Sequence, residues 1–183
     1  MADLIRQVLT MLPEVEREPG TELPWGAEMW QIEATSARLG LPFPPELVDW
    51  LQVCNGPVIG PGGIHGVRPT VPPFARDIET HHGYLPDWCR PAYLPVAGDG
   101  CGSDYVIAAV PTCEGLHPVW FLSHVDRDRG RPSYLVASGL WSFLRFLFLE
   151  DLGDRGWPCE PSYILDLDPA LNRIESAEFC WDG

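Results

Sequence analysis

The sequence contains no lysine. All 12 of its basic residues are arginine, they face 26 acidic residues, and the formal net charge of the 183-residue chain is −14. Such a surface repels phosphate backbones, so direct nucleic-acid binding is disfavoured, whereas a basic protein partner is attracted. Acidic pI values are also common among soluble proteins, and missing lysine beside abundant arginine, glycine and proline fits a GC-rich genome. Charge alone leaves both explanations open.

The sequence also lacks a long apolar run. The longest candidate, 140–149, is interrupted by Ser142 and Arg145, and it is shorter than the roughly 20 residues that a membrane span needs. The chain begins Met1-Ala2-Asp3, which is acidic where a secretory signal is positively charged. We therefore expect a cytoplasmic protein without membrane contacts.

The sequence also lacks closely spaced cysteines. The six cysteines are Cys54, Cys89, Cys101, Cys113, Cys159 and Cys180. They contain no C-x-x-C pair, so neither a zinc ribbon nor a thioredoxin-like redox site is indicated. In a cytoplasmic protein we expect all of them to be reduced thiols.

The clearest pattern in the sequence is that of a β-meander. Between residues 93 and 124, three short apolar runs rich in β-branched and aromatic residues are separated by clusters of Gly, Asp, Ser and Pro. This pattern is typical of adjacent antiparallel strands. We predict a meander over about 93–124 and a further strand at 133–137. A chain of this length is most simply one domain, 1–183.

Helical spacing of apolar residues flanks this sheet in the sequence. It predicts helices over 2–16 and 26–39, with Trp25 and Trp30 flanking the apolar face of the second, and a third helix from 44 to Asn55-Gly56. A late helix over 139–152, capped by Ser138, is apolar around more than half of its circumference. We expect it to be buried between the sheet and other helices.

The remaining segments give weaker patterns. The segment 57–73 is too rich in glycine and proline for a helix and is compatible with a small irregular hairpin. One or two helical turns are an option around 77–82. Residues 163–167 predict an edge strand, and a short terminal helix follows from Asp168 to about Ser176.

Several short motifs follow one another in order between residues 25 and 149. They are Leu41-Pro42, Pro45-Glu46-Leu47 in a helix ending at Asn55-Gly56, Leu94-Pro95-Val96-Ala97-Gly98-Asp99-Gly100 before a strand, Pro118-Val119-Trp120-Phe121 with His124, and Ser142-Phe143-Leu144 in the late helix. In this order and spacing they resemble the SUKH superfamily of SMI1/KNR4-like domains, named for a fungal cell-wall regulator. The segments 57–73 and 153–183 depart from the pattern, and the latter is treated as a C-terminal extension.

The resemblance implies an α+β domain with a mostly antiparallel sheet, helices packed on one side and no catalytic residues. Bacterial relatives are similar to immunity proteins that bind and neutralise a cognate toxin domain, often a nuclease or deaminase. Other members of the superfamily are scaffolds or regulators. We therefore expect a non-enzymatic protein-binding domain without a cofactor, with immunity as the first hypothesis and a scaffold or regulator as the alternative.

An acidic inhibitor can occupy the basic cleft of a nucleic-acid-processing toxin as a phosphate mimic. The candidate contacts are acidic residues of turns in and around the meander, which we expect to be exposed: Asp99, Asp104, Glu114, Asp126 and Asp128. Each is also a residue type that forms turns or stays solvated, and this second interpretation remains open.

Catalytic alternatives are weaker. Cys101, between Gly100 and Gly102, and His124 raise the alternative of a nucleophile pair, but a nucleophile elbow needs a helix after the turn, where a strand is predicted. A phosphate-cradling loop at 98–103 would lack its lysine. We also expect no metal site, because His81 and His82 diverge by about 100° on a helix and the other histidines are isolated in sequence.

Overall fold

The computed structural model describes residues 1–15, 23–68, 76–175 and 177–182. Within these ranges six α-helices and four β-strands form an α+β fold, which confirms the expected class. The helices are α1 (Ala2–Met11), α2 (Met29–Leu39), α3 (Pro45–Val53), α4 (Ile78–Tyr84), α5 (Leu140–Asp151) and α6 (Pro161–Leu167). The strands are β1 (Tyr93–Gly98), β2 (Asp104–Ala108), β3 (Val119–Leu122) and β4 (Tyr134–Ala137). Short 3-10 turns occupy Arg127–Arg129 and Pro169–Arg173.

The strands form one antiparallel sheet in the order β1-β2-β3-β4. The predicted meander and its fourth strand are therefore confirmed. Both edges of the sheet are covered by backbone hydrogen bonds. The His65 N–H donates to the Val96 carbonyl of β1 at 2.8 Å, and the Leu135 N–H of β4 donates to the Glu178 carbonyl at 2.7 Å. These bonds reduce the number of unpaired strand groups that the edges offer to another chain.

The described part of the glycine- and proline-rich segment, residues 57–68, lies along β1. Ile64 forms an antiparallel bridge with Ala97, and the Gly98 N–H donates to the Gly63 carbonyl at 3.1 Å. The prediction that this segment is not helical is confirmed as far as residue 68. The segment was also compatible with a small irregular hairpin; within it the Ile64 N–H donates to the Pro57 carbonyl at 3.0 Å, and the segment bridges to β1. Residues 69–73 of that prediction lie outside the described residues.

Helix α5 forms the centre of the core, as expected. Eight of its 12 residues are buried. On one side Trp141 meets Trp50 of α3 edge to face, with ring centroids 6.0 Å apart, and on the other Phe143 meets Tyr105 of β2 at 4.9 Å. Helix α1 packs against α5 as well. The late helix therefore joins the N-terminal helices to the sheet.

The N-terminus of α5 is capped from another helix. The first two backbone N–H groups of α5 donate to Glu46 Oε2 of α3 at 2.6 and 3.3 Å, and the N-cap position itself is Gly139. The prediction of Ser138 as the cap is wrong, because its N–H and hydroxyl both donate to the buried Asp168, at 2.8 and 2.6 Å. A side chain from α3 thus satisfies donors that a local residue would normally satisfy.

The opposite face of the sheet carries a second, smaller cluster. Leu85 and Cys89, which follow α4, pack there against Val106 and Leu122. Helix α4 itself contacts β1 and confirms the predicted helical turns around 77–82. The family resemblance implies helices on one side of the sheet. The structure has these, and part of the opposite face is covered as well.

The C-terminal region differs most from the expectations. Residues 163–167 belong to α6, not to an edge strand: Pro161 starts a helix favourably, and Ile164 is buried on it. The expected terminal helix is the 3-10 turn Pro169–Arg173. Cys159 and Cys180 form a disulfide, with Cα atoms 5.6 Å apart, so the expectation of reduced thiols is wrong for this pair. None of the described helices has the length and apolarity needed to cross a membrane.

Candidate protein-binding surface

The acidic residues predicted as contacts do not share one surface. In an antiparallel meander the first and third connections lie at one end of the sheet and the second at the other. Asp99, Asp126 and Asp128 are therefore at one end, whereas Glu114, exposed in the β2–β3 connection, is at the opposite end. A compact partner that binds at one end of the sheet therefore cannot contact all five of the predicted acidic residues.

Asp104 lies at the first of these ends but is only 4% exposed, so the expectation of an exposed carboxylate is wrong. As the first residue of β2 it is on the face that α4 covers, two positions from Val106. Its Oδ1 lies 3.0 Å from His81 Nδ1, and its Oδ2 accepts from Arg127 at 3.2 Å. A buried carboxylate needs such partners, and Asp104 is accordingly occupied inside the protein.

Hydrogen bonds of Arg127 link the β3–β4 connection to neighbouring segments of the chain. Its guanidinium donates to the Tyr84 carbonyl at 2.7 Å and to the Gly102 carbonyl at 3.1 Å, besides Asp104. The Trp88 indole N–H donates to the Arg127 carbonyl at 2.7 Å. These bonds join the β3–β4 connection to α4, to the chain that follows it and to the β1–β2 turn.

The carboxylates at this end are also largely used within the protein. Asp99 Oδ1 accepts the N–H groups of residues 101 and 103, at 2.7 and 2.8 Å. Asp126 pairs with Arg129 at 3.4 Å, and Glu178 pairs with Arg131 at 2.6 Å. Much of the acidic charge lies in the C-terminal part of the sequence: residues 150–182 contain nine acidic residues, among them Glu178 and the buried Asp168, and two arginines, which is half of the net charge of −14.

Among the residues that the structure describes, the most exposed aromatic side chains lie where α2 begins. Trp25 is 94% exposed and Trp30 is 67% exposed, so the expectation that they flank the buried face of this helix is wrong. Trp30 shares its side of α2 with Glu33, three residues on, whereas Ile32 and Thr35 point into the core. The exposure of Trp30 could have been predicted from the sequence, because helical spacing places Trp30 on the side opposite to Ile32.

Close backbone contact with α3 fixes the position of Trp25. The Ala27 N–H donates to the Leu51 carbonyl at 2.7 Å, and a Cβ on Gly26 would lie 1.7 Å from the Gln52 carbonyl oxygen. Only glycine allows this approach. Trp25 is thereby held beside the C-terminal end of α3.

Four exposed apolar side chains lie at the start of α2 and at the end of α3, and we call this set the Trp patch: Trp25, Met29, Trp30 and Val53. Met29 and Val53 are 41% and 40% exposed. Its surroundings are acidic: Glu28, Glu33 and Asp49 are exposed, and Asp49 precedes Val53 by one helical turn. The one arginine of α2, Arg38, pairs with Glu79 at 2.8 Å.

A buried polar cluster consists of His65, His81 and Asp104. The two imidazole rings stack with centroids 3.8 Å apart. His65 is fully buried, and neither of its ring nitrogens has a hydrogen-bond partner among the described residues. Burial, followed by the nearby His81 and Arg76, lowers the pKa of His65 well below its usual value, so the ring is neutral. Sequence spacing gave no sign of this cluster, because it joins a loop, a helix and a strand.

The contacts of the other candidate residues do not assemble a nucleophile pair. His124 Nδ1 lies 3.2 Å from Ser103 Oγ, and among the described residues no hydrogen bond joins His124 to Cys101. His82 Nε2 lies 2.9 Å from the Arg90 carbonyl oxygen, away from the partner of His81, as the helical divergence predicts. Burial raises the pKa of the Cys89 thiol to about 12, so it is not a thiolate.

A comparison with known families assigns the fold. The model of the SMI1 / KNR4 family (SUKH-1) matches residues 26–145, which is most of the chain. The chain belongs to the SMI1/KNR4 family (SUKH-1). The resemblance in the sequence motifs is thereby confirmed. In this SUKH-1 protein the matched region includes the whole sheet, the His65 cluster and all of the Trp patch except Trp25, whereas the acidic residues 150–182 lie outside it. A search of curated proteins finds no match to the chain.

Proposed function

We propose that this SUKH-1 protein is an immunity protein that binds a cognate bacterial toxin and occludes its active site without catalysing a reaction. The observation that carries the proposal is the Trp patch, in which two indoles are 94% and 67% exposed beside exposed acidic residues. Exposed apolar groups of this size mark interaction sites, and tryptophan is enriched among the residues that dominate binding energy.

The size of the patch fits an anchor for a protein partner. Two indoles together can bury about 300–400 Å², which at about 25 cal per Å² corresponds to roughly 8–10 kcal/mol before the costs of association. Protein interfaces typically place such a core inside a polar rim. The rim here is acidic, through Glu28, Glu33 and Asp49, and so complements a basic partner.

The overall charge supports the same partner chemistry. A toxin that cleaves or deaminates nucleic acid needs a basic cleft, and a net charge of −14 accelerates association with such a protein. We retain Asp99, Asp126 and Asp128, at one end of the sheet, and Glu114, at the other, as alternative proposed contacts, since one compact partner site reaches only one end. Asp104 contributes only by holding the β3–β4 connection in place.

The test is a rescue assay. The C-terminal domain of the protein encoded immediately upstream is expressed in a test bacterium with and without this chain, and survival is scored. The matched variants are Trp25→Ala/Trp30→Ala and, as control, Leu152→Ala, which removes an exposed apolar side chain at the C-terminal end of α5, away from the proposed contacts. Charge reversal of Glu33 is compared with charge reversal of Asp128.

The proposal expects survival with the wild-type chain and with Leu152→Ala, and death with the double tryptophan variant. Copurification of the toxin domain with the chain should follow the same pattern. Equal rescue by the double variant would remove the Trp patch as the contact. Death with every variant and the wild type would instead favour a SUKH-fold scaffold or regulator.

A further inference from the structure

We propose that His65, His81 and Asp104 form a binding site for one divalent first-row transition metal ion of the zinc type. The three residues come from the segment along β1, from α4 and from β2, and each offers a ligand atom within 4.8 Å of the other two. The cluster is independent of the Trp patch, so the two proposals stand or fall separately.

The unpartnered imidazole of His65 is the first argument. A fully buried ring with both nitrogens unpaired among the described residues is costly, because a buried polar group normally has a partner. A metal ion supplies that partner without requiring another donor or acceptor.

The spacing of the ligand atoms is the second argument. Zinc–nitrogen and zinc–oxygen bonds of about 2.0–2.2 Å place neighbouring tetrahedral ligands about 3.3 Å apart. His81 Nδ1 and Asp104 Oδ1 are already 3.0 Å apart. Since all three ligand atoms lie within 4.8 Å of one another, tetrahedral spacing needs a shift of about 1.5 Å at His65. Because the two imidazole rings are stacked, the His65 ring must also rotate to direct a nitrogen lone pair at the ion. The ion would replace the proton that His81 and Asp104 share, and that proton would pass to solvent.

The surroundings of Asp104 provide the third argument. Arg127 holds the other carboxylate oxygen, Oδ2, at 3.2 Å, so Oδ1 is oriented toward His81. Hydrogen bonds of this kind to a ligating carboxylate orient it for the metal. The side chain of His81 is 21% exposed and gives an ion a route from solvent.

The donor set selects the class of ion. Two imidazoles and one carboxylate suit zinc, cobalt, nickel or copper, whereas calcium takes six or more oxygen ligands. The salt bridge with Arg127 also leaves little net negative charge at the cluster, which disfavours hard cations bound mainly by charge. Binding would join the loop along β1, α4 and the sheet, and so stabilise the fold.

The experiment uses the full chain purified without a histidine tag and stripped with a chelator. Zn²⁺ is titrated calorimetrically, and Co²⁺ is followed by its visible absorption. His81→Gln and His65→Gln are the test variants. His124→Gln is the matched control, because His124 is an exposed histidine at the end of the sheet where β2 begins.

One Zn²⁺ per chain is expected for the wild type and His124→Gln, with affinity at least tenfold lower in both test variants. Zn²⁺ should raise the unfolding temperature of the wild type and leave that of His81→Gln unchanged. If a variant does not fold, the Co²⁺-loaded wild type decides, because hyperfine-shifted imidazole signals from two histidines are expected in its proton NMR spectrum. Absence of binding at millimolar metal, or equal binding by His81→Gln, would overturn the proposal.

Discussion

Glu46 links α3 to the start of α5, and replacing it by alanine tests how the core is assembled. Its Oε2 accepts the N–H groups of Leu140 and Trp141, at 2.6 and 3.3 Å. No local side chain can replace it, because the N-cap residue is Gly139 and Ser138 is bonded to Asp168. Glu46→Ala therefore leaves two helix-terminal donors without a protein acceptor.

The size of the effect follows from these contacts. Loss of a helix cap costs about 0.5–2 kcal/mol, and one hydrogen bond to a charged group contributes about 1.5–3 kcal/mol. Burial opposes this gain, since desolvation raises the pKa of Glu46 above its usual value despite the two hydrogen bonds, which lower it. We expect Glu46→Ala to lower the free energy of unfolding by about 2 kcal/mol, or about 4–8 °C in the unfolding temperature.

A double-mutant cycle with Gly139→Ala isolates the contact. A Cβ at Gly139 would lie 2.7 Å from Glu46 Oε2, so this substitution should displace the carboxylate and destabilise the wild type. In the Glu46→Ala background the same substitution should be nearly neutral, because its φ of −172° is extended backbone that alanine adopts freely. Calorimetric unfolding of the four proteins gives the coupling energy.

Glu46→Gln adds a test by pH. Because the pKa of Glu46 is raised, the folded state binds its proton more tightly than the unfolded state. The wild type should therefore lose stability relative to Glu46→Gln as pH rises from about 4.5 through the raised pKa, with a constant difference above it. Additive effects of Glu46→Ala and Gly139→Ala, together with a difference that does not depend on pH, would refute the reasoning.

Three further predictions concern stability, each measured by thermal or denaturant unfolding. Reduction of the Cys159–Cys180 disulfide should cost about 3 kcal/mol, and dithiothreitol should have no effect on the Cys159→Ala/Cys180→Ala variant; an unshifted wild type would contradict the bond. Arg127→Ala should cost about 3 kcal/mol, because it removes a partner of the buried Asp104, and a loss below about 1 kcal/mol would contradict this role. Leu144→Ala, fully buried in α5, should cost about 2–5 kcal/mol, and a neutral effect would contradict its burial.

The sequence predicted those elements whose local pattern and tertiary environment agree. The strands of the meander are bounded by turn residues, and α5 is apolar on nearly every side because it contacts both the sheet and other helices. Both were predictable. The segment 163–167 was not, since its alternating Tyr163, Leu165 and Leu167 fit a strand while burial of Ile164 on a helix fits the fold.

The candidate sites were less predictable because they depend on contacts distant in sequence. In the sequence Asp104 follows a glycine-rich turn and looks like an exposed turn carboxylate. Its burial follows only from the position of α4 and Arg127. His65 and His81 meet because the segment along β1 brings a loop against a helix. The exposure of Trp30 was available from its helical spacing, which places it opposite Ile32.

The most direct test of the immunity proposal is to titrate the purified chain into the purified toxin domain and to measure the toxin's catalytic activity. The proposal predicts that activity falls linearly and reaches zero at one equivalent of the wild-type chain. Trp25→Ala/Trp30→Ala should need a large excess, because loss of each anchor costs about 2 kcal/mol or more, or roughly 30-fold in affinity. A toxin that keeps full activity at saturating concentrations of the wild-type chain would contradict the proposal.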